Sequence, residues 1–279
     1  MAQIRIVTDS TAEIPAATVQ RLGITVVPME LHMDGRVWRD GIDLTSEDFF
    51  DRLAARPQIT TMAPSVQALQ AAYASLSSTT DQILSIHISS KLSKTVDNAR
   101  QAASAFLGRT QIFVLDSQLA SFGQGLLAIA AAEAASRGSS LNEIVRLLRG
   151  MIAHIYIVFF AESLDYLEKS ARIDRSQAVL GSMLNIKPLL ILEEGEIMPL
   201  EKVRTRGKAL DRLHEFVIEF AHFEKLTIVR GKRTGESQDL LERIAQTFPD
   251  REILISTYSP ALAAHLGPEA IGVVVYEGL

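Results

Sequence analysis

The segment "ILSIHISSKLSKTVDNARQAASAF", residues 83–106, joins a strand pattern to a helix pattern across a cluster of hydroxyl side chains. Polar and apolar residues alternate over 85–88, as on a strand. Further along, the apolar residues return at the three- and four-residue spacing of a helix: Leu92, Val96, Ala99, Ala103 and Phe106. A strand followed at once by a helix is the repeating unit of an α/β sheet, so the segment predicts an α/β fold.

The same alternation extends over the first half of the chain. Short β-rich runs occupy 4–8, 24–29, 83–88 and 112–116, and helical spacing separates them, as in Val66, Leu69, Tyr73 and Leu76. An Ala-rich helix over 121–136 ends at "RGSS". This order predicts a parallel sheet with helices on both faces. We expect an N-terminal Rossmann-like, three-layer α/β/α domain over residues 1–150.

The second half has a different pattern. Strand-like runs lie at 155–161, 189–203, 226–231, 252–258 and 271–277, and helical segments lie at 175–184, 205–223 and 236–247. The Glu194-Gly195 pair marks a β-hairpin inside the second of these runs, so part of this sheet is antiparallel. Residues 151–279 are therefore expected to form a C-terminal two-layer α/β domain with a mixed sheet.

The composition excludes several classes of function. The chain has 279 residues, of which 47% are hydrophobic and 22% charged, and a net charge of −5. This acidic balance argues against nonspecific nucleic-acid binding, which needs a basic surface. The absence of cysteine excludes disulfides, thiolate nucleophiles and Cys-ligated zinc. "MAQIRIVTDS" (1–10) has no signal-peptide layout and the apolar run 155–161 is too short to span a bilayer, so a cytoplasmic protein is expected.

Hydroxyl groups cluster where two helices are expected to begin. Ser93 and Thr95 precede one helix, and "QITTMAPSVQALQ" (58–70) brings Thr60, Thr61 and Ser65 to the start of another. A helix N-terminus attracts anions through its free N–H groups and its dipole. The alternative is that one serine caps each helix while the other hydroxyls are solvated. Two such helix starts at the carboxyl edge of one parallel sheet predict a site for a carboxylate or a phosphate.

Other candidate residues give weaker signals. Asp9, in "VTDSTAEIP" (7–15), would repel an anion and is interpreted as ordering the neighbouring turns. His87 is interpreted as packed or solvated, whereas His265, before a Gly-Pro turn, is either packed or part of a site. The six histidines show no metal-binding pattern. Gly123 and Gly125 lack the third glycine of a nucleotide loop, which favours close packing at a helix start.

Eight short motifs are informative as an ordered set. They are "VTDSTAEIP" (7–15), "TTMAPS" (60–65), "HISSKLSKT" (87–95), "LDSQLASFGQG" (115–125), "SLDYLEKSARI" (163–173), "GSMLNIKPLL" (181–190), "KVRTR" (202–206) and "YSPALAAHLGP" (258–268). The set resembles the DegV family of bacterial fatty-acid-binding proteins, from about residue 5 to 277. The resemblance implies two α/β domains that enclose one long-chain fatty acid (C14–C18, such as palmitate, stearate or oleate), with the tail in an apolar tunnel.

The resemblance also implies a carrier without catalysis, cofactor or metal of its own. Such a carrier presents the acid to a separate soluble ATP-dependent kinase, which makes the acyl-phosphate. The expected partners are the fatty acid, this kinase and, transiently, a membrane surface, but not nucleic acid. The basic run "EKVRTRGK" (201–208) indicates either a solvated helix start or a docking surface for an acidic partner. The resemblance places Arg204 and Arg206 of this run on the surface that meets the kinase.

Residue by residue, the resemblance places the fatty-acid carboxylate on the hydroxyls of Thr61 and Ser93. The residues expected near the head group are Thr60, Ser90, Lys94, Arg172 and His265. Three positions depart from the family pattern. Lys94 replaces a glycine, Ser170-Ala171 replaces two glycines, and "TMAPS" (61–65) replaces T-S-Q-P-S.

Two other functions remain as alternatives. The dihydroxyacetone kinases have a domain of related fold, so a small-molecule phosphotransferase is one of them, although the sequence has no nucleotide loop or metal-ligand set. The other is a hydrolase with Ser93 as its nucleophile. The chain has no G-x-S-x-G elbow for such a nucleophile and no evident base.

Overall fold

The computed structural model describes residues 4–53, 59–162, 164–170, 172, 187–232 and 234–279. Its strands are β1 (Arg5–Asp9), β2 (Thr25–Val27), β3 (Glu30–Met33), β4 (Arg36–Arg39), β5 (Ile59–Met62), β6 (Gln82–His87), β7 (Gln111–Asp116), β8 (Ile155–Phe160), β9 (Lys187–Glu193), β10 (Glu196–Val203), β11 (Lys225–Arg230), β12 (Ile253–Thr257) and β13 (Ile271–Tyr276). Its helices are α1 (Ala16–Leu22), α2 (Ser46–Leu53), α3 (Val66–Leu76), α4 (Thr95–Ser104), α5 (Ser121–Ser136), α6 (Leu141–Ile152), α7 (Asp165–Lys169), α8 (Arg206–Ile218), α9 (Gly235–Thr247) and α10 (Pro260–Leu266). The helix predicted over 175–184 lies outside the described residues.

Four strands form the parallel sheet that the first half of the sequence predicts. Their order is β2-β1-β6-β7, and every neighbouring pair is parallel. Helices α3 and α4 pack on one face, where Leu69, Tyr73 and Ala99 are fully buried. Helix α5 packs on the other face against β1 and β6, and α6 packs on α5. The predicted three-layer α/β/α arrangement is therefore confirmed.

Six strands of the second half form a mixed sheet in the order β10-β9-β8-β13-β11-β12. All neighbours are antiparallel except β11 and β12. The predicted hairpin joins β9 to β10, and both turn residues, Glu194 and Gly195, have positive φ (47° and 84°). Helices α8 and α9 cover one face of this sheet, and the first half of the chain covers the other. Strand β13 is buried on both faces as a result, which explains its uninterrupted apolar sequence.

A third sheet was not predicted. Strands β4, β3 and β5 form it in that order, with antiparallel pairing. Thr60 and Thr61 lie in β5, so the prediction that they open a helix is wrong. Of the three hydroxyls in that segment only Ser65 caps α3, where it accepts a hydrogen bond from the Ala68 amide. Strands of four residues are too short to show a clear alternation, and β5 finds its partner β3 some thirty residues earlier in the chain.

Helix α5 joins the two halves of the chain at close range. A Cβ on Gly123 would lie 2.8 Å from Cδ1 of Ile157 in β8, and a Cβ on Gly125 would overlap the carbonyl oxygen of Ala12. The interpretation of these glycines as close-packing positions is confirmed. The domain boundary near residue 150 remains a prediction, and that residue lies within α6. Across the part of the chain that the structure describes, the helices are all too short or too polar to cross a membrane.

Candidate functional site

An apolar cavity lies between the six-stranded sheet and the first half of the chain. It contains about 880 Å³ of space between the surrounding atoms, its open mouth included. One wall is a row of paired residues from four adjacent strands: Ile197, Leu192, Ile157 and Val274. Directly paired residues share one face of a sheet, so this row forms a continuous apolar surface.

A group of polar side chains lines one part of this cavity. Thr61 projects from β5, His265 from the last turn of α10, and Arg172 follows α7. Oγ1 of Thr61 lies 2.7 Å from Nε2 of His265, within hydrogen-bond distance. These three residues also line an outer depression whose walls include Glu162, Asp165 and Lys169. The polar group therefore stands where the apolar cavity meets a second, charged depression.

Burial and the neighbouring Arg172 guanidinium lower the pKa of His265 to about 3. The imidazole is therefore neutral near pH 7. Its Nδ1 is shielded from solvent and has no hydrogen-bond partner among the residues that the structure describes. Burial also lowers the pKa of Arg172, but an arginine keeps its charge under all ordinary conditions. The site thus offers one fixed positive charge beside a neutral histidine.

Ser93 lines the same cavity from the loop before α4. Its Oγ lies 2.8 Å from Oγ1 of Thr95, and it accepts a hydrogen bond of 3.3 Å from the Thr95 amide. The Thr95 hydroxyl also lies 3.8 Å from Sδ of Met29, a weak acceptor. The prediction that Ser93 and Thr95 stand at a helix start is confirmed, since α4 begins at Thr95.

The cavity wall contains three further hydroxyl groups, each with a partner within the chain. Thr11 donates to the Asp9 carboxylate and Tyr258 donates to the carbonyl of Gly267, so neither has a proton left for a ligand. Ser121 pairs with the carboxyl group of Glu13. Thr61 and Ser93 differ from Thr11 and Tyr258, because the partner of each, an imidazole or another hydroxyl, is able to donate to it.

The structure places three predicted head-group residues away from the cavity wall. Thr60 projects to the face of β5 opposite Thr61, since it pairs with His32 whereas Thr61 pairs with Leu31. Ser90 and Lys94 are exposed, and Lys94 occupies the residue before α4. Thr60 is also exposed, on the outer depression. Their predicted contact with a head group remains a prediction.

The two arginines assigned to a partner surface have different environments. Arg204 is exposed on the surface after β10. Arg206 is partly buried, and its guanidinium pairs with Glu236 at 2.7 Å and with Glu162 at 3.3 Å. It also donates to the carbonyl of Glu269 at 2.8 Å. The charge of Arg206 is therefore already matched within the chain, whereas Arg204 presents its charge outward.

A series of buried hydrogen bonds lies behind the cavity, and the sequence predicted only part of it. Asp9 accepts from Nδ1 of His87 at 2.9 Å and from the Ile88 amide at 3.1 Å. The other ring nitrogen of His87 lies 2.7 Å from Oγ of Ser85, which in turn lies 2.8 Å from the Tyr73 hydroxyl. The interpretation of Asp9 as a residue that orders the neighbouring turns is confirmed. Its sequence signal was a single acid at a strand end, whereas its partners His87 and Ile88 lie 78 and 79 residues further along the chain.

Two buried carboxyl groups hold the helix that carries His265. Glu13 accepts from the Ser259 amide at 2.8 Å, and Asp40 accepts from the Ala261 amide at 3.2 Å, both at the start of α10. Burial raises the pKa of Glu13 to about 8 and that of Asp40 to about 6. The sequence offered no signal for this role: Glu13 belongs to "VTDSTAEIP" (7–15), but nothing in that motif indicates a partner 246 residues away. Among the described residues there is no group of three His, Asp or Glu side chains placed to hold a metal ion.

Comparison with known proteins identifies the family. A family model described as "Uncharacterised protein, DegV family" matches residues 3–278. This chain belongs to the DegV family. A DegV domain-containing protein of Streptomyces coelicolor is 34% identical over 276 residues, which cover 98% of each chain.

Solved structures of DegV proteins have the same architecture. The DegV protein of Bacillus subtilis, described as a fatty acid binding protein, superposes with a TM-score of 0.92 at 29% identity, covering 99% of this chain and 100% of that one. A DegV family protein from Thermus thermophilus, described by its fatty acid binding, gives a TM-score of 0.89 at 31% identity, with coverage of 99% and 100%. The resemblance inferred from the eight motifs is confirmed, and so is the mixed α/β fold.

Proposed function

We propose that this DegV protein binds one long-chain fatty acid, with the carboxylate at Thr61 and Ser93 and the tail in the apolar cavity. The observation that carries the proposal is the distribution of hydroxyl protons around the cavity. Among the hydroxyls that line the described wall, Thr61 and Ser93 have an imidazole and another hydroxyl as partners, and both partners are able to donate to them, whereas Thr11 and Tyr258 donate their protons to a carboxylate and a carbonyl. The protons of Thr61 and Ser93 are then free for an acceptor, and Arg172 supplies a positive charge beside them.

His265 sets the direction of the hydrogen bond at Thr61. As a neutral imidazole with its proton on Nε2, it donates to Oγ1 of Thr61, and the Thr61 hydroxyl then donates to the carboxylate. Thr95 has the same role at Ser93. Its hydroxyl rotates away from the weak sulfur acceptor of Met29 and donates to Oγ of Ser93 instead. Each hydrogen bond to an ionised acceptor contributes about 1.5–3 kcal/mol.

The tail supplies most of the affinity in this proposal. Burial of a sixteen-carbon tail at about 0.8 kcal/mol per methylene gives on the order of 10 kcal/mol before the costs of association. The row of Ile197, Leu192, Ile157 and Val274 offers the apolar surface for it. We propose acids of the C14–C18 range, such as palmitate, stearate or oleate, as the ligands. The fatty acid binding described for the Bacillus subtilis and Thermus thermophilus relatives supports the assignment.

The position of the polar group favours a carrier. Thr61, Arg172 and His265 face the outer depression as well as the cavity. A carboxylate at Thr61 would be reachable from outside while its tail stays enclosed. We therefore propose that a separate ATP-dependent kinase phosphorylates the bound acid, that the exposed Arg204 belongs to the kinase-facing surface, and that the chain itself has no catalytic role. A cytoplasmic location with transient membrane contact suits a protein that collects fatty acids.

Mass spectrometry of the gently purified protein tests the proposal. Native spectra, followed by spectra after solvent extraction, are expected to show one fatty acid of the C14–C18 range per chain. The protein with both Thr61→Val and Ser93→Ala is expected to lose it. A wild-type protein that carries no lipid after incubation with palmitate and oleate would contradict fatty-acid binding. Turnover of ATP by the isolated protein would instead support the phosphotransferase alternative.

A further inference from the structure

Ser89 occupies a junction between the two halves of the chain. It is fully buried, and its Oγ donates to the carbonyl of Gly195, at the tip of the β9–β10 hairpin, at 2.8 Å. Its carbonyl accepts from the amide of Ser93 at 3.0 Å, and its own amide donates to the carbonyl of Leu119 at 2.9 Å. One residue thus connects the hairpin of the second half to the loop that presents Ser93.

The hairpin tip fits this junction closely. Gly195 has a φ of 84°, which favours glycine, and a Cβ there would lie 2.5 Å from Oγ of Ser89 and 3.5 Å from Cα of Gln118. Next to this contact, Nζ of Lys91 pairs with Oε1 of Glu196 at 3.1 Å, with both side chains about half exposed. Residues 89–92 and 194–197 therefore meet along a seam that holds one buried hydrogen bond and one exposed ion pair.

The same seam borders the cavity. Leu92 follows Lys91 and lines the cavity from the first half, and Ile197 follows Glu196 and lines it from the second. Strand β10, which carries Ile197, is the edge of the six-stranded sheet, and its pairing with β9 is interrupted by a bulge between Pro199 and Glu201. An edge strand with an irregular ladder separates at lower cost than a central strand. Leu92 and Ile197 are both only partly buried, so at the seam the wall of the apolar cavity reaches the surface.

We propose that the seam between residues 89–92 and 194–197 is the gate through which the acyl tail enters and leaves, and that the hydrogen bond from Ser89 to Gly195 is its latch. Ser89 is a positioning residue that connects the hairpin, whose Ile197 lines the cavity, to the head-group ligand Ser93. The inference rests on the proposed fatty-acid binding. It adds a route for the tail that is distinct from the mouth at Thr61 and His265.

Cross-linking of the seam provides the test. The chain has no cysteine, so Lys91→Cys with Glu196→Cys introduces two thiols that a short bismaleimide with a reducible spacer joins across the seam. Stopped-flow fluorescence measures uptake of cis-parinaric acid, and its release into excess phosphatidylcholine vesicles. We expect cross-linking to slow both rates by about tenfold or more, and reduction of the spacer to restore them. Each single cysteine variant, treated with the same reagent, is the control and is expected to keep the wild-type rates.

Two results would overturn the gate in different ways. Normal binding with uptake and release rates unchanged by the cross-link would overturn the gate while leaving fatty-acid binding intact. Failure of the wild-type protein to bind cis-parinaric acid or palmitate would overturn the proposed function and the gate with it.

The variant Ser89→Ala gives an independent measurement of the latch. Loss of one buried hydrogen bond is expected to speed release about three- to tenfold. The rate should rise to the same extent for palmitate and for hexadecanol, because a latch acts on the tail whatever the head group. If release accelerates for the acid alone, Ser89 acts only by positioning Ser93, and the latch is wrong.

Discussion

Thr61→Val tests the head-group assignment with the smallest change of shape. Valine keeps the branched side chain of threonine on β5 but removes the hydroxyl that lies 2.7 Å from Nε2 of His265. Loss of one hydrogen bond to an ionised carboxylate corresponds to about 1.5–3 kcal/mol, so we expect the Kd for palmitate to rise about 10- to 150-fold. The free energy of unfolding should fall by about 1–3 kcal/mol, because the partly buried His265 loses its partner.

Titration calorimetry with palmitate and with hexadecanol separates these effects. The alcohol has no charge, so its Kd should rise only about 2- to 12-fold, as expected for a neutral hydrogen bond. Thr60→Val is the matched control, since Thr60 lies on the same strand and projects to the opposite face. We expect it to bind palmitate as the wild type does. Wild-type affinity in Thr61→Val, or an equal loss for acid and alcohol, would refute the role of Thr61 as a carboxylate ligand.

Three further predictions concern the head group, the buried acid and the packing of α5. Ser93→Ala should raise the Kd for palmitate at least tenfold by calorimetry, through the loss of one charge-assisted bond. The pKa of Glu13 is about 8 in the folded chain and near 4.5 in its ordinary state. Between pH 4.5 and pH 8 the folded chain therefore keeps a proton on Glu13 that the unfolded chain has lost, so the free energy of unfolding falls as pH rises through this range. Glu13→Gln should reduce this pH dependence, which urea unfolding between about pH 5 and about pH 9 measures. A free energy of unfolding that falls as steeply with pH as in the wild type would contradict the prediction. Gly125→Ala should destabilise the fold by about 1–3 kcal/mol through overlap with Ala12, whereas Gly207→Ala, with open space around it, should not; thermal unfolding compares the two.

The sequence predicts elements better than it predicts contacts between them. Periodicity is enough for both large sheets, because their strands and helices are long and strongly apolar on the buried side. The turn at Glu194-Gly195 is also readable, since a hairpin turn with positive φ favours glycine. The small sheet is not readable in this way. Each of its strands has only four residues, of which two or three are polar or exposed, and only pairing with β3 places Thr61 on the inner face.

The hydroxyl cluster at 89–95 shows the same limit. The sequence predicts that a group of serines and threonines caps a helix and binds an anion, but it does not show which residue has which role. In the structure Ser89 bonds to the hairpin, Ser93 lines the cavity, and Thr95 supports Ser93. Thr61 and His265 are 204 residues apart, so their contact follows only from the tertiary fold. Resemblance to the family placed both residues near one head group, which spacing could not do, but it did not predict the contact between them.

The distribution of the site over both halves of the chain has a thermodynamic consequence. Thr61 and Ser93 come from the first half, Arg172 and His265 from the second, and the tail wall lies on the six-stranded sheet. A ligand that contacts all of them stabilises the closed arrangement of the halves by an amount that depends on its concentration relative to Kd, about 2.7 kcal/mol at one hundred times Kd. A shorter acid would make the same head-group contacts but lose about 0.8 kcal/mol for each missing buried methylene. In this proposal, affinity therefore increases with tail length. The hydroxyls of Thr61 and Ser93 contact the carboxylate, which all the acids share, and so set the orientation of the ligand. Under the proposed function, the protein would therefore select fatty acids by their tails and hold them in place by their carboxylates.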